Sequence, residues 1–375
     1  MSLKLLNVID GEVSYVLDRA LDGHLITVRE AETLFNVTGK ELFALIYVAD
    51  ELRRRIVGDI VTYVINRNIN FTNICINNCL FCAFSRPPNS PEGYITPLET
   101  LKRKVQEAVE LGATEVCIQG GLHPDADLEF YLSILRSVRE VSASIHIHAF
   151  SPMEVKHASV NSGVTVEEVL KAFKETGLNS MPGTAAEILV DKVRRIICPH
   201  KIKVAEWMRI IKAAHRLGIP TSSTMMYGHV ESERDKAIHI DILRRIQKST
   251  GGFTEFVPLS FIHEKTNLYK TGLSRPGATG LEDVKVYAVS RLMLGDLIRN
   301  LQVSWVKLGV KFAQFCLNAG ANDLGGTLME ENISRIAGST SGEYLPPSEM
   351  ERIIRDCGRI PAQRTTTYEI IKINA

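Results

Sequence analysis

The sequence predicts an α/β chain folded as a (β/α)8 TIM-type barrel with a helical N-terminal extension. Three observations carry this. Eight short β-prone stretches recur from residue 68 onward, and amphipathic helical stretches lie between most of them. Gly112, Gly177 and Gly218 each stand shortly before a strand, where a helix has to turn back. The length of 375 residues suits one large unit, because α/β barrels exceed the size at which other chains divide.

Residues 1–66 read as the extension. Thr27-Val-Arg-Glu30 is a capping box that opens a helix. Residues 39–55 carry Leu42, Phe43, Leu45, Ile46, Ala49 and Leu52 at helical spacing. Arg53, Arg54 and Arg55 end that helix as solvated cations favoured by its dipole. Residues 67–375 form the barrel and a C-terminal helical segment. The strands expected are 68–72, 114–119, 144–150, 178–181, 221–226, 254–259, 302–306 and 321–324. The helices expected between them are 97–111, 128–141, 164–175, 204–217, 233–248 and 281–294. Met225, Met226 and Phe256 are expected to fill the barrel, and Cys198, Cys316 and Cys357 to be buried thiols.

Barrel chemistry gathers at the C-terminal ends of the strands. The first expected strand runs into a loop with Cys75, Cys79 and Cys82, and the second into Gln119-Gly-Gly-Leu-His123. His148-Ala-Phe-Ser-Pro-Met-Glu154, Pro182-Gly-Thr-Ala-Ala-Glu187 and Tyr227-Gly-His-Val-Glu231 follow the next three. Ser260-Phe-Ile-His263, Lys307-Leu-Gly309 and Asp323-Leu-Gly-Gly-Thr327 complete the rim. His123, His148, His229 and His263 all fall there, which points to one polar site.

Composition narrows the function. The net charge of +1, from 44 basic and 43 acidic residues, implies neither a nucleic-acid nor an anionic-membrane partner. No charged start leads into a long apolar run, so neither a signal peptide nor a spanning helix is expected. Seven cysteines, three of them clustered, do not read as a disulfide framework and suggest a reducing, cytoplasmic setting.

Three cysteines within eight residues, separated by Asn77-Asn78, cannot form an apolar face. As thiolates they converge on a soft metal centre and leave one coordination position without a local ligand. An iron–sulfur cluster held this way keeps one iron open to a small molecule. The alternative is a structural zinc site, or a binding module without turnover. Zinc needs a fourth ligand, for which Cys117 stands alone.

The spacing Cys75-x3-Cys79-x2-Cys82, with Phe81 before the last cysteine, resembles the signature of radical S-adenosylmethionine (SAM) enzymes. That resemblance implies a 4Fe–4S cluster on Cys75, Cys79 and Cys82, with SAM on the open iron. It places Phe81, Gly120, Gly121, Glu187 and Arg195 as SAM contacts. Leu122 stands where the family has an acidic residue after its two glycines. The stretches from Gly58 to Asn66, Asn70 to Cys75, His148 to Glu154, Pro182 to Ile188, Gly252 to Leu259 and Gly320 to Leu328 resemble one subgroup. It holds the FO synthase activities and the radical enzymes of the futalosine menaquinone route. Within it the chain is most similar to the 4-hydroxybenzyl transferase family of FO synthase, with aminofutalosine synthase as the rival reading. A fused FO synthase would carry a second cysteine triplet, which this chain lacks.

The family resemblance implies L-tyrosine and 5-amino-6-(D-ribitylamino)uracil as substrates. It also implies an electron donor such as ferredoxin or flavodoxin, and a partner radical SAM cyclase that takes the product to a deazaflavin. A base is then needed for the tyrosine amine, with His148, His229 and Glu231 as candidates. Glu255, Asn322 and Asp323 are the candidates for the uracil and ribityl groups, with Ser151, Thr224 and Lys307 as weaker ones.

Overall fold

The computed structural model describes residue 6 and residues 8–374. The chain opens with helices Gly11–Leu21, Val28–Phe35 and Gly39–Val57. The Thr27 hydroxyl accepts from Glu30 N–H while the Glu30 carboxylate accepts from Thr27 N–H, which is the expected capping box. Leu42, Leu45, Ala49 and Leu52 are buried along the third helix, whereas Phe43 is 66% exposed. The region read as wholly helical then ends in a strand. Ile60-Val-Thr-Tyr-Val64 is rich in β-branched residues and forms β1 (Ile60–Val64).

The remaining strands are β2 (Asn66–Asn70), β3 (Glu115–Gln119), β4 (His146–Ala149), β5 (Thr221–Tyr227), β6 (Phe253–Ser260), β7 (Asp323–Gly326), β8 (Ile360–Arg364) and β9 (Ile370–Ile373). They form three sheets, ordered β7-β1-β8-β9, β2-β3-β4 and β5-β6, parallel throughout except for the β8–β9 pair. The single closed eight-stranded sheet expected from the sequence is therefore not formed. At residues 180–181 and 301–302 the chain makes only isolated parallel bridges: His148 with Ser180, Met181 with Thr221, Phe256 with Leu301 and Gln302 with Asp323. Two local causes are visible. Pro182 follows Met181 and has no N–H to continue a ladder. Residues expected to extend the seventh strand instead enter helix Trp305–Leu308.

Long helices cover the sheets, among them Leu98–Glu110, Leu128–Val141, Val204–Arg216, Glu233–Thr250 and Gly280–Leu294. Gly177 and Gly218 end helical turns at φ +109° and +70°, as helix-to-strand returns require. Two elements were not expected. Ser151 and Glu154 form a capping box that starts a helix, Pro152–Ser162, directly after β4. After helix Pro347–Asp356 the chain ends in β8 and β9 rather than in a further helix.

Strand periodicity decides which side chains face the interior. On β6, Glu255, Val257 and Leu259 line a cavity, while Phe256 points the other way and packs 6.3 Å from the His239 ring. Phe256 therefore fills the layer between strand and helices, not the barrel. Met226 lines a cavity as well, and Met225 is fully buried. Cys198 and Cys316 are buried thiols as expected, and Cys357 is half-buried.

Candidate active site

β2 ends at Asn70, and the chain then loops through Cys75, Cys79 and Cys82. The loop is pinned at several points. Cys75 N–H donates to Arg86 O at 2.9 Å, and Ile76 N–H to Leu122 O at 3.1 Å. Cys82 N–H donates to Cys79 O at 3.0 Å, and Leu80 N–H to Ile197 O at 3.0 Å. All three cysteines line one cavity of about 260 Å³, together with Phe81, Gly120, Gly121, Glu154, Glu187 and Lys201. Burial pushes the Cys75 and Cys79 thiols above the ordinary range, while the nearby Lys201 ammonium pulls both down. Among the described residues no three His, Cys, Asp or Glu side chains are drawn together as ligands of a single ion. The sulfurs instead share the wall of one cavity, which suits a multi-iron cluster, where each thiolate has its own iron.

The two glycines have a packing reason. A Cβ on Gly121 would lie 2.1 Å from Ile74 O and 3.0 Å from Cys75 Cβ. A Cβ on Gly120 would lie 2.7 Å from the Phe71 ring. Only glycine lets the end of β3 close onto the cysteine loop, where Gly121 N–H donates to Thr72 O at 2.8 Å. Gly120 N–H in turn donates to the Glu154 carboxylate at 3.2 Å. Glu154 is buried, and burial pushes it up to about 7, against Ser151, Gly120 and Lys201. No acidic residue follows the glycines, yet Glu154 brings a carboxyl group to the same corner from the next strand end. Its signal in the sequence was the Ser151-x-x-Glu154 capping box.

Glu187 reaches the cavity wall but is paired. Lys201 Nζ donates to Glu187 Oε1 at 2.5 Å and lies 5.2 Å over the Phe81 ring. Glu187 has φ +47° and Ala185 +60°, unfavourable values for residues with a Cβ. The buried Arg194 guanidinium holds this turn by donating to the carbonyls of Ala185, Ala186 and Ile202. Arg195, the expected SAM contact, is exposed on helix Asp191–Ile197 and lines none of these cavities. Helical spacing turns it outward, and Arg194 is the neighbour turned in.

A second cavity of about 290 Å³ lies within the strands. Asn66, Asn68 and Asn70 of β2 face it at strand period, with Glu115, Cys117 and Gln119 of β3 opposite. Sequence reasoning missed this row, although three asparagines at alternate positions of a strand were a legible signal. His148 lines the cavity too, with Nδ1 2.6 Å from the Ser180 hydroxyl. Burial lowers its pKa and Glu115 opposes this. Glu255 faces the same space. Burial pushes it up to about 7, and its Oε2 has no hydrogen-bond partner. Thr224 lines the cavity and donates to Gly183 O at 3.1 Å. Arg364 of β8 closes it from a stretch expected to be helical.

Four expected roles need correction. Asp323 is fully buried and lines neither cavity. It accepts from Arg364 Nε at 2.5 Å and Nη2 at 3.1 Å, and from the Thr62 hydroxyl at 2.5 Å. It therefore positions Arg364. Asn322 is turned away, with Oδ1 accepting from Arg291 at 2.8 Å and from Leu301 N–H at 2.9 Å. Glu231 accepts from Gly228 and His229 N–H and from Arg275; against burial, the His229 side chain and the two backbone N–H groups hold its carboxyl well below the usual range. His229 is locked beside it, with Nε2 3.0 Å from Met226 O. Both belong to a self-satisfied loop, and neither lines either of these two cavities. Of the four rim histidines only His148 does.

A third recess, about 530 Å³, opens beside Cys82 and is lined by Arg86, Lys265, Lys270 and Arg335, of which Arg86 is paired with Glu92 and Arg335 with Glu343.

An α/β scaffold with a three-cysteine loop at the end of a parallel strand defines a radical SAM enzyme, and similarity to known proteins agrees with this. Residues 69–242 match the Radical SAM superfamily, and residues 250–375 match the CofH/MqnC C-terminal region. The fold resembles the hydrogenase maturase HydG (TM-score 0.74, 15% identity, 97% of this chain and 78% of that one). It also resembles methylornithine synthase PylB (TM-score 0.73, 19% identity, 92% and 97%). A 5-amino-6-(D-ribitylamino)uracil–L-tyrosine 4-hydroxyphenyl transferase of Archaeoglobus fulgidus is 56% identical over 86% of this chain and 92% of its own. The enzyme of that name from Methanopyrus kandleri is 54% identical over 92% and 94%. The chain belongs to this CofH-type family of radical SAM 4-hydroxyphenyl transferases. The family implies SAM and an iron–sulfur cluster. No helix of the described residues is long and apolar enough to cross a membrane.

Proposed function

We propose that this chain cleaves L-tyrosine between its α and β carbons. It then transfers the 4-hydroxybenzyl group to 5-amino-6-(D-ribitylamino)uracil, leaving the glycine part as iminoacetate. The observation that carries this is a pair of adjoining cavities, one lined by three cysteines and one by amides and carboxyls, in a chain 56% identical to an enzyme of that name. The bridged strand order supports a barrel-like enclosure around the second cavity.

In this reading Cys75, Cys79 and Cys82 would hold a 4Fe–4S cluster, and Gly120, Gly121, Phe81 and Glu154, which line the same cavity, would border SAM. Bound there, the cluster and SAM supply the radical that takes hydrogen from the tyrosine amine. The protein's own part is to orient substrates and exclude water. His148 faces the second cavity, where burial lowers its pKa and so favours the neutral ring, whose nitrogen can accept a hydrogen bond from the substrate amine. Asn68, Asn70 and Glu255 offer donors and acceptors to a uracil edge and a polyol, while the Asn66 amide is held by Glu115 and Leu328 N–H. The cationic recess beside Cys82 suits an acidic electron donor such as ferredoxin or flavodoxin. A partner radical SAM cyclase would take up the product.

The test is anaerobic turnover with SAM, L-tyrosine and the ribitylaminouracil under a chemical reductant. A coupled product that requires both substrates is expected. Consumption of an enolpyruvyl benzoate with no tyrosine-dependent product would instead establish aminofutalosine synthase.

A further inference from the structure

Gln119, Thr184, Leu259, Lys307 and Ile333 line both cavities and so form the partition between them. The Thr184 hydroxyl donates to Gln119 Oε1 at 3.4 Å. Leu259 and Ile333 are apolar. Lys307 is the charged member, half-buried in helix Trp305–Leu308. Three Lys or Arg side chains line the two cavities: Lys201, Arg364 and Lys307. Lys201 is taken by Glu187, and Arg364 by two bonds to Asp323. Among the described residues no carboxylate lies within 4.0 Å of Lys307. Glu331, also at the second cavity, accepts from Ser334 N–H at 2.9 Å and from the Ser334 hydroxyl at 3.3 Å. The partition thus carries an ammonium without its counterion.

We propose that Lys307 binds the α-carboxylate of the amino-acid substrate at the junction of the two cavities. This rests on the function given above, in which one amino acid must meet both a radical source and a second substrate. An amino acid held by its carboxylate at the partition has its amine on the adjacent carbon, within reach of the cysteine-lined cavity. Its side chain is free to extend among the amides of the second. An ammonium partly removed from water is costly unless paired. Burial already lowers the Lys307 pKa, with Glu331, Glu187 and Cys82 pulling it back up. A bound carboxylate restores the missing partner.

The experiment is equilibrium binding of L-tyrosine and of tyramine, which lacks the carboxylate, to cluster-loaded protein without reductant. Wild type is compared with Lys307→Met and Lys307→Arg. Lys307→Met is expected to weaken tyrosine by at least about 30-fold and to leave tyramine within about 2-fold. Lys307→Arg recovers most of the tyrosine affinity, and SAM binding is unchanged in both. Equal losses for tyrosine and tyramine would overturn the proposal, as would unchanged tyrosine affinity or a loss confined to SAM. Wild-type protein that binds neither amine would defeat the substrate reading itself. Wild type that binds tyrosine, with Lys307→Met binding it equally, would defeat only the role of the lysine.

Discussion

Replacing Gly121 with alanine tests how the end of β3 meets the cysteine loop. The new Cβ would stand 2.1 Å from Ile74 O and 2.7 Å from the Ile74 carbonyl carbon, where ordinary contact begins near 3.4 Å. The two backbones must therefore part by about 1.3 Å, because a close-packed interior has no slack to absorb the atom. Bonds on either side resist this: Gly121 N–H to Thr72 O at 2.8 Å, and Ile76 N–H to Leu122 O at 3.1 Å. Overpacking of this kind costs about 1–3 kcal/mol, small enough for a chain of this size to stay folded. Its effect on chemistry is larger, since a shift of about 1 Å at a reacting centre costs roughly 100-fold in rate. The expected variant keeps its far-ultraviolet circular dichroism but takes up less iron and sulfide on anaerobic reconstitution. It also releases deoxyadenosine about 100-fold more slowly. Wild-type iron content and an unchanged deoxyadenosine rate would refute the packing argument.

Cys75→Ala, Cys79→Ala and Cys82→Ala should each abolish deoxyadenosine release, and retained release in any one removes that cysteine from the ligand set. Asp323→Asn should destabilise the protein by about 3–5 kcal/mol in urea unfolding, because Arg364 is left buried without its carboxylate. A cost below about 1 kcal/mol would show that the pair is not needed. Glu255 is raised from 4.5 to about 7 in the folded protein, so the fold binds its proton more tightly than the unfolded chain. The resulting stabilisation is full below the unfolded pKa and is lost as pH rises through 7. Between pH 5.5 and 8 the loss is about 2 kcal/mol. Glu255→Gln should remove that part of the pH dependence, and identical stability–pH curves for variant and wild type would contradict it. Glu154 titrates in the same window, so the comparison with wild type is the readout. Lys265→Glu with Lys270→Glu should slow turnover driven by reduced flavodoxin while leaving dithionite-driven turnover unchanged. Equal rates with both reductants would remove the cationic recess from electron delivery.

Signals that are local in sequence were legible. The cysteine spacing, the Thr27 capping box and most of the strand–helix alternation depend on residues a few positions apart, and they appear in the structure where they were expected. Errors arose where a local pattern has two outcomes. Ile60–Val64 falls within the N-terminal stretch that the sequence assigns to a helical extension, but pairing with β7 and β8 makes it a strand. Residues 302–306 were read as a strand, but Trp305 begins a helix and only Leu301 and Gln302 make bridges. Arg194 and Arg195 are adjacent and chemically alike, and only the packing of their helix determines which one is buried.

By itself the sequence determined the chemistry available: three clustered thiolates, glycines at the next strand end, and an α/β alternation that brings strand ends to one rim. Those properties reside in residue types and short spacings, which no distant contact alters. Which polar residues become site residues was decided by tertiary structure alone. His229, Glu231, Asn322 and Asp323 looked like reagents, but each found its partners within the protein and became structural. Lys307 and Glu255 keep polar groups without carboxylate or hydrogen-bond partners facing the cavities. Whether a polar side chain is satisfied internally depends on neighbours up to hundreds of residues away, such as Thr62 with Asp323. A buried group must be paired or remain costly. The ones left unpaired beside a cavity are those available to a substrate.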